Sequence, residues 1–276
     1  MKKLLLISLI ISLLLSGCGK KEEENPPSKN NNDDIAGYKL VSTMDCEALQ
    51  KEIVYMQKGV IITAENEVYA YNTEQKYSNG TNCAKFDEKV ELFAIGDGSV
   101  YEKDKGVNFK VADLTLTRSD TAVSNKRLTP IHEAGYYIYM YGPQKNNQTT
   151  TYGVKKNSRT IYSFELGIDR RKENGFERIY YTIEKEQEDY SVSEGEIIVD
   201  FLYSRNEADY LKDYIRSDKS FYQRKITNKT ECEEIVDVKC NYEWYKNDTL
   251  TSIVNRIAYY STDELILKDG KIYNKS

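Results

Sequence analysis

The sequence predicts an all-β fold, mostly antiparallel, with one or two short helices. Composition is the first reason. Tyrosine is abundant (24 of 276 residues) and proline scarce (4), and aromatic and β-branched side chains fit a pleated, half-buried surface. The second reason is the spacing of the apolar runs, which are short and bounded by pairs such as Glu-Asn, Asp-Gly and Glu-Gly, residues that suit tight turns. The third is a hairpin pattern that recurs along the chain.

Ahead of that fold, the N-terminus reads as an export signal. Lys2-Lys3 precede an apolar run, Leu4 to Leu15, broken only by Ser8 and Ser12. A spanning helix needs about 20 apolar residues, so this shorter run ending in small residues is a targeting segment, not a span. Its end, Leu15-Ser16-Gly17-Cys18, resembles a bacterial lipobox at all four positions. The resemblance implies diacylglyceryl transfer to the Cys18 sulfur and cleavage before Cys18. The mature protein would then be lipid-anchored on the outer face of a bacterial membrane, where two acyl chains suffice for stable attachment. An ordinary secretory signal cut near Gly17 would instead leave Cys18 a plain thiol.

The chain divides on this reading into a signal peptide at 1–17, a lipidated cysteine and disordered tether at 18–36, and a β-rich extracytoplasmic domain at 37–276. The tether runs from Lys20-Lys21-Glu22-Glu23-Glu24 to Asn30-Asn31-Asn32-Asp33-Asp34. It carries too little apolar content to order itself and would reach about 25 Å as a flexible coil.

Within the body, Val60 to Tyr69 (VIITAENEVY) is echoed by Leu92 to Tyr101 (LFAIGDGSVY) and by Glu264 to Tyr273 (ELILKDGKIY). A weaker echo is Val154 to Tyr162 (VKKNSRTIY). The shared form is an apolar run, an acidic residue, Asn or Gly, a variable residue, then an aliphatic and Tyr. Glu-Asn and Asp-Gly provide the φ > 0 residue of a hairpin turn, so each copy reads as a hairpin whose second strand opens with the aliphatic-Tyr pair. Ile53-Val54-Tyr55-Met56 also aligns without a gap on Ile257-Ala258-Tyr259-Tyr260, which predicts a preceding strand in both places. Units of three or four short strands repeated at this interval are the mark of propellers and related arrays. The pattern resembles propeller blades of a "DG-x-hydrophobic-Tyr" kind, and the resemblance implies five or six degenerate blades. Chance recurrence of hairpins in an antiparallel protein is the other reading.

The middle of the body is less regular. Tyr136 to Tyr141 reads as a strand stopped by Gly142-Pro143, followed by a polar loop tip at 144–151. Ile179–Ile183 and Ile197–Tyr203 read as strands separated by the acidic stretch Glu184–Asp189 and a turn at Glu194-Gly195. Asn206 to Ile215 carries a helical signature, with Asn206 as cap and Tyr210, Leu211, Tyr214 and Ile215 on one face.

Besides Cys18 the chain has Cys46, Cys83, Cys232 and Cys240. An even number in an exported chain suggests two disulfides. Three connectivities are open, of which Cys46–Cys83 with Cys232–Cys240 is favoured because local closure costs least chain entropy. No C-x-x-C or histidine cluster suggests a metal, and no cofactor motif is present.

Losing Lys2 and Lys3 with the signal takes the net charge from −5 to −7, which argues against a nucleic-acid partner. The basic cluster Arg170-Arg171-Lys172 reads as a solvated turn, and Asp97 as part of a turn, not a calcium ligand. His132 beside Glu133 lacks the partners of a catalytic triad, and Glu184, Glu186 and Glu188 alternate as on a solvated hairpin. No catalytic residue is therefore assigned. The candidate ligand-binding residues are Tyr137, Tyr139 and Tyr141, which alternate along a strand beside Gly142-Pro143. They can stack on a sugar ring or peptide or pack as a cross-strand ladder.

These readings favour a non-catalytic binding or scaffolding module of the cell envelope. Its partners would be the membrane, through the lipid anchor, and a cell-wall glycan or envelope protein. An envelope hydrolase using carboxylates on the β-domain loops is the alternative. Cys18→Ala is expected to move the protein from the detergent phase to the aqueous phase in a phase-partition assay; retention in the detergent phase would remove the anchor from this account.

Overall fold

The computed structural model describes residues 34–57, 59–89, 92–96, 99–102, 105–110, 115–119, 134–145, 148–203, 213–227 and 242–276, with the backbone alone at 57, 178–179 and 226, over the strands between 92 and 119 and over 139–150. Among these residues, twenty strands form five four-stranded antiparallel sheets in a propeller-like arrangement. The all-β expectation is met. Residues 1–33, with the signal and Cys18, lie outside the described residues, as do His132, Cys232 and Cys240.

The strands are numbered in chain order, and four of the sheets take consecutive strands. Sheet I contains β2 (Ile53–Gln57), β3 (Val60–Thr63), β4 (Glu67–Tyr71) and β5 (Cys83–Lys89). Sheet II contains β6 (Leu92–Gly96), β7 (Ser99–Glu102), β8 (Lys105–Lys110) and β9 (Thr115–Ser119). Sheet III contains β10 (Tyr136–Lys145), β11 (Gln148–Lys155), β12 (Thr160–Glu173) and β13 (Phe176–Ser191). Sheet IV contains β14 (Ile198–Leu202), β15 (Tyr214–Ser217), β16 (Phe221–Ile226) and β17 (Tyr242–Lys246).

Sheet V is built from both ends of the described chain. β18 (Ile257–Tyr260), β19 (Glu264–Leu267) and β20 (Lys271–Lys275) are completed by β1 (Tyr38–Thr43), which pairs antiparallel with β20 from Tyr38↔Lys275 to Thr43↔Lys271.

The core lies between neighbouring sheets. Ile61 and Tyr69 of sheet I pack with Ala258, Ile266 and Ile272 of sheet V. Phe221 and Tyr214 of sheet IV pack with Leu265 and Tyr273 of sheet V. Ile138, Val154 and Ile161 of sheet III pack with Phe201, Ile215 and Tyr222 of sheet IV. A buried aliphatic or aromatic side chain contributes about 1.5–3 kcal/mol and an exposed ion pair about 0–1 kcal/mol, so these interfaces, not the surface pairs, hold the sheets together.

The hairpin repeat is present, with one reassignment. Val60–Tyr69, Val154–Tyr162 and Glu264–Tyr273 each join the second strand of a sheet to the third, whereas Leu92–Tyr101 joins β6 to β7, the first and second strands of sheet II. A fourth member of the first set has no such signature, because Phe221-Tyr222 opens β16 after a Ser217–Ser220 turn that has neither Asn nor Gly. The turn residues otherwise do what their chemistry predicts: Asn66, Asn157 and Gly270 all have φ > 0, at 63°, 59° and 84°. Gly270 is constrained twice, since a Cβ there would lie 2.1 Å from the Met44 carbonyl oxygen.

Other local expectations shift. Gly142-Pro143 does not stop β10; the pairing with β11 jumps from Tyr141 to Gln144, a bulge that spares the ladder a residue with no N–H to donate. The polar segment after it is accordingly part of a hairpin. Residues 184–189 continue β13 and do not separate strands. Arg170 and Arg171 sit on β12, exposed and paired with Glu177 and Asp169. Tyr214 and Ile215 open β15, so a helix does not extend to them; 204–212 lie outside the described residues. The described α-helix, α1 (Asp248–Ser252), is instead capped by Asn247, whose side chain accepts from Leu250 N; Asn247-Asp248 is its sequence signal.

Cys46 and Cys83 form a disulfide, with Cα atoms 5.1 Å apart. It ties the segment after β1 to β5, the outer strand of sheet I. Cross-linking a separation of 37 residues should stabilise by about 3–4 kcal/mol. The Cys46→Ala, Cys83→Ala double variant is therefore expected to unfold at markedly lower urea, with a slope no smaller than that of the wild type because its unfolded chain is less constrained; an unchanged midpoint would show the cross-link to be dispensable.

Candidate functional site

One irregularity repeats through the fold and builds the site. Each first strand carries a register shift near its start, one residue longer than its partner: Ile53/Tyr55, Leu92/Ala94, Tyr136/Ile138, Ile198/Asp200 and Ile257/Tyr259. A β-bulge of this kind bends the strand and re-aims a side chain. The extra residues are Val54, Phe93, Tyr137, Val199 and Ala258, and three of them, Tyr137, Val199 and Ala258, line a pocket of about 240 Å³.

The pocket gathers the starts of β2, β10, β14 and β18 and the turns that join second to third strands. Antiparallel pairing explains the combination, since the start of a first strand lies beside the end of the second. Lys156-Asn157, Ser217-Asp218 and Lys268 come from three such turns, and Glu52 from the approach to β2.

The rim is tied across sheet boundaries by hydrogen bonds. Ile198 N donates to Ser158 O at 3.0 Å, between sheets IV and III. Arg216 Nη1 donates to Ile257 O at 3.1 Å, between sheets IV and V. Gln50 Nε2 donates to Lys268 O at 2.5 Å, between the segment before β2 and sheet V. The Ser217 turn is held from beneath by the buried Glu196 carboxylate, which accepts from Ser217 Oγ (2.5 Å), Ser220 Oγ (2.9 Å) and Tyr222 OH (3.2 Å). Asp218 Oδ1 accepts from Ile197 N at 2.8 Å.

Three charged side chains at the pocket, Glu52, Lys156 and Lys268, have no side-chain partner among the described residues. Arg216 is largely covered, 12% exposed, with Nη2 3.7 Å from Asp200 Oδ2. The same Asp200 oxygen accepts from Tyr214 OH at 2.8 Å. Asp200 keeps 36% of its side-chain surface accessible. Burial raises its carboxyl above the usual range, against Arg216 and the Tyr214 hydroxyl. The Tyr137 phenol is likewise raised, by burial first and then by the charges of Glu52 and Asp200, with Arg216 opposing.

Of the tyrosines singled out in the sequence, Tyr137 lines the pocket and is 41% exposed; the side chains of Tyr139 and Tyr141 lie outside the described residues. Sequence reasoning misses Arg216, Asp200, Glu52, Lys156 and Lys268, because no motif distinguishes them. Their signal emerges only after aligning the strands by register.

No protein family, curated protein or solved structure matches this chain.

A carboxyl raised in the folded state makes the native protein bind more protons than the unfolded chain between the free value, about 3.9, and the raised one. Stability then falls as pH rises through that window. Asp200→Asn should lose this fall, so its urea midpoint is expected to drop less than that of the wild type as pH rises from about 3.9. Parallel profiles would overturn the assignment.

Proposed function

We propose that this chain is a membrane-anchored extracytoplasmic lipoprotein whose β domain is a non-catalytic binding module of the cell envelope, taking a small polar ligand in the central pocket. The observation that carries the reading is the rim: Glu52, Lys156 and Lys268 converge on one pocket beside Tyr137 without side-chain partners among the described residues. Such charges gain little for folding, whereas convergent polar groups around a concave site orient a ligand. The anchor rests on the lipobox at Leu15–Cys18. The Cys46–Cys83 disulfide supports an oxidising compartment. A cell-wall glycan suits a pocket with one aromatic face and several hydrogen-bonding groups.

A second reading, an envelope hydrolase, draws on Asp200 and Glu52. Both carboxylates act on the same phenol, and the proton affinity of Asp200 is raised by burial, as a general acid requires.

The test is the melting temperature of the full mature chain, produced through an oxidising compartment, against cell-wall fragments, glycans and small envelope metabolites. A ligand at a hundred times its dissociation constant stabilises by about 2.7 kcal/mol, a shift of roughly 5–10 °C at this size. Tyr137→Ser should abolish the shift while leaving the ligand-free melting temperature unchanged. A shift that survives this substitution would move the site elsewhere, and turnover of a hit would establish the hydrolase.

A further inference from the structure

Sheet IV departs from a pattern that three other sheets share just past the bulge. Just past the bulge, sheets I, III and V pair Tyr55↔Ile62, Ile138↔Val154 and Tyr259↔Ile266. The second-strand members, Ile62, Val154 and Ile266, are all fully buried. At the same register position sheet IV places Asp200↔Arg216. The frame accepts apolar pairs at this position three times, and well-packed hydrophobic residues in place of a buried pair are often neutral or stabilising, so the bonds to Ile257 and Tyr214 do not by themselves account for an ion pair at the fourth.

The geometry of the pair suits recognition. Arg216 spends one N–H on Ile257 O, and its contact with Asp200 is long at 3.7 Å. Further donors of its five-donor fork have no partner among the described residues. Asp200 is itself fixed by Tyr214 OH, so the guanidinium is held from one side and open on another. Lys156 and Lys268 add two cationic side chains to the lining, and Glu52 adds an acceptor.

Building on the pocket as a ligand site, we propose that Asp200 and Arg216 determine its specificity and select a carboxylate-bearing sugar. Arg216 meets the carboxylate, for which its planar fork is suited. Asp200 is a positioning residue that orients the guanidinium. Lys156 and Lys268 draw the anion in, Tyr137 faces the ring, and Glu52 accepts from a hydroxyl or amide.

A matched pair of probes tests this on the full mature chain by calorimetry. N-acetylmuramic acid differs from N-acetylglucosamine by its lactyl ether, which carries the carboxylate. The acid is expected to bind at least about tenfold more tightly, the scale of one hydrogen-bonded charge. In the Asp200→Tyr, Arg216→Ile variant, which copies the residues of sheet V, that preference should vanish, with a melting temperature lowered by the loss of the Ile257 and Tyr214 bonds. Arg216→Lys keeps the charge but not the fork, and should lose most of the preference; it keeps the test valid if the double variant fails to fold. Inorganic phosphate at the same concentration should compete weakly.

Equal binding of the two sugars, or a preference that survives Arg216→Lys undiminished, would overturn the selection while leaving the pocket a binding site. Phosphate competing as well as the acid would overturn the sugar component. Binding of neither sugar would overturn the inference whole, and the wider ligand screen then decides separately whether the pocket binds anything.

Discussion

β1 has no neighbour among the strands that follow it directly. Its backbone ladder is met by β20, at the other end of the chain. The fold depends on that pairing, because sheet V supplies one wall of the core shared with sheet I and one wall of the core shared with sheet IV. Unpaired, β20 would expose an edge, and the residues behind it would lose some of their cover. The entropy of bringing distant segments together is met once, and every interface between neighbouring sheets then gains from it. Most other contacts are local meanders, which the chain can form as it goes.

The pocket is a by-product of the same geometry. First strands crowd toward one another in such an arrangement, and a bulge near the start of each gives the strand room to turn. Where the extra residue is Val199 or Ala258 the wall is apolar; where it is Tyr137 the wall gains a ring and a hydroxyl. Small changes at equivalent positions therefore alter the lining without disturbing the pairing. Sheet IV has gone further than its neighbours, with a charged pair in place of an apolar one.

Much of the fold is legible in the sequence because its turns follow simple rules. Asn66, Asn157 and Gly270 mark tight turns through their need for φ > 0, and the aliphatic-Tyr pairs after them mark buried third strands. The turn at Ser217–Ser220 is harder to read for a physical reason: lacking Asn or Gly, it closes through Ser217 Oγ, which accepts from Lys219 N and Ser220 N, and is braced by the distant Glu196, which no local pattern announces. The pocket is hardly legible at all. Tyr137 stands out as an aromatic on an alternating strand, but bulges hide register from any reading by period two. Arg216 and Asp200 lie 16 residues apart in sequence and face each other only once β14 and β15 are paired. Their meaning comes from comparison among sheets, which needs the structure.

The disulfide has a mechanical consequence. The segment ahead of Tyr38 leads straight into β1, so any pull arriving from the N-terminus loads the ladder to β20 from its end, where bonds break singly and in turn. Peeling would run through Thr43 and then meet Cys46, three residues on, which is covalently joined to Cys83 in sheet I. From there the load passes into a second sheet through a bond that does not peel. A tug that strips β1 away costs sheet V its fourth strand, but the disulfide stops the loss from running on along the chain.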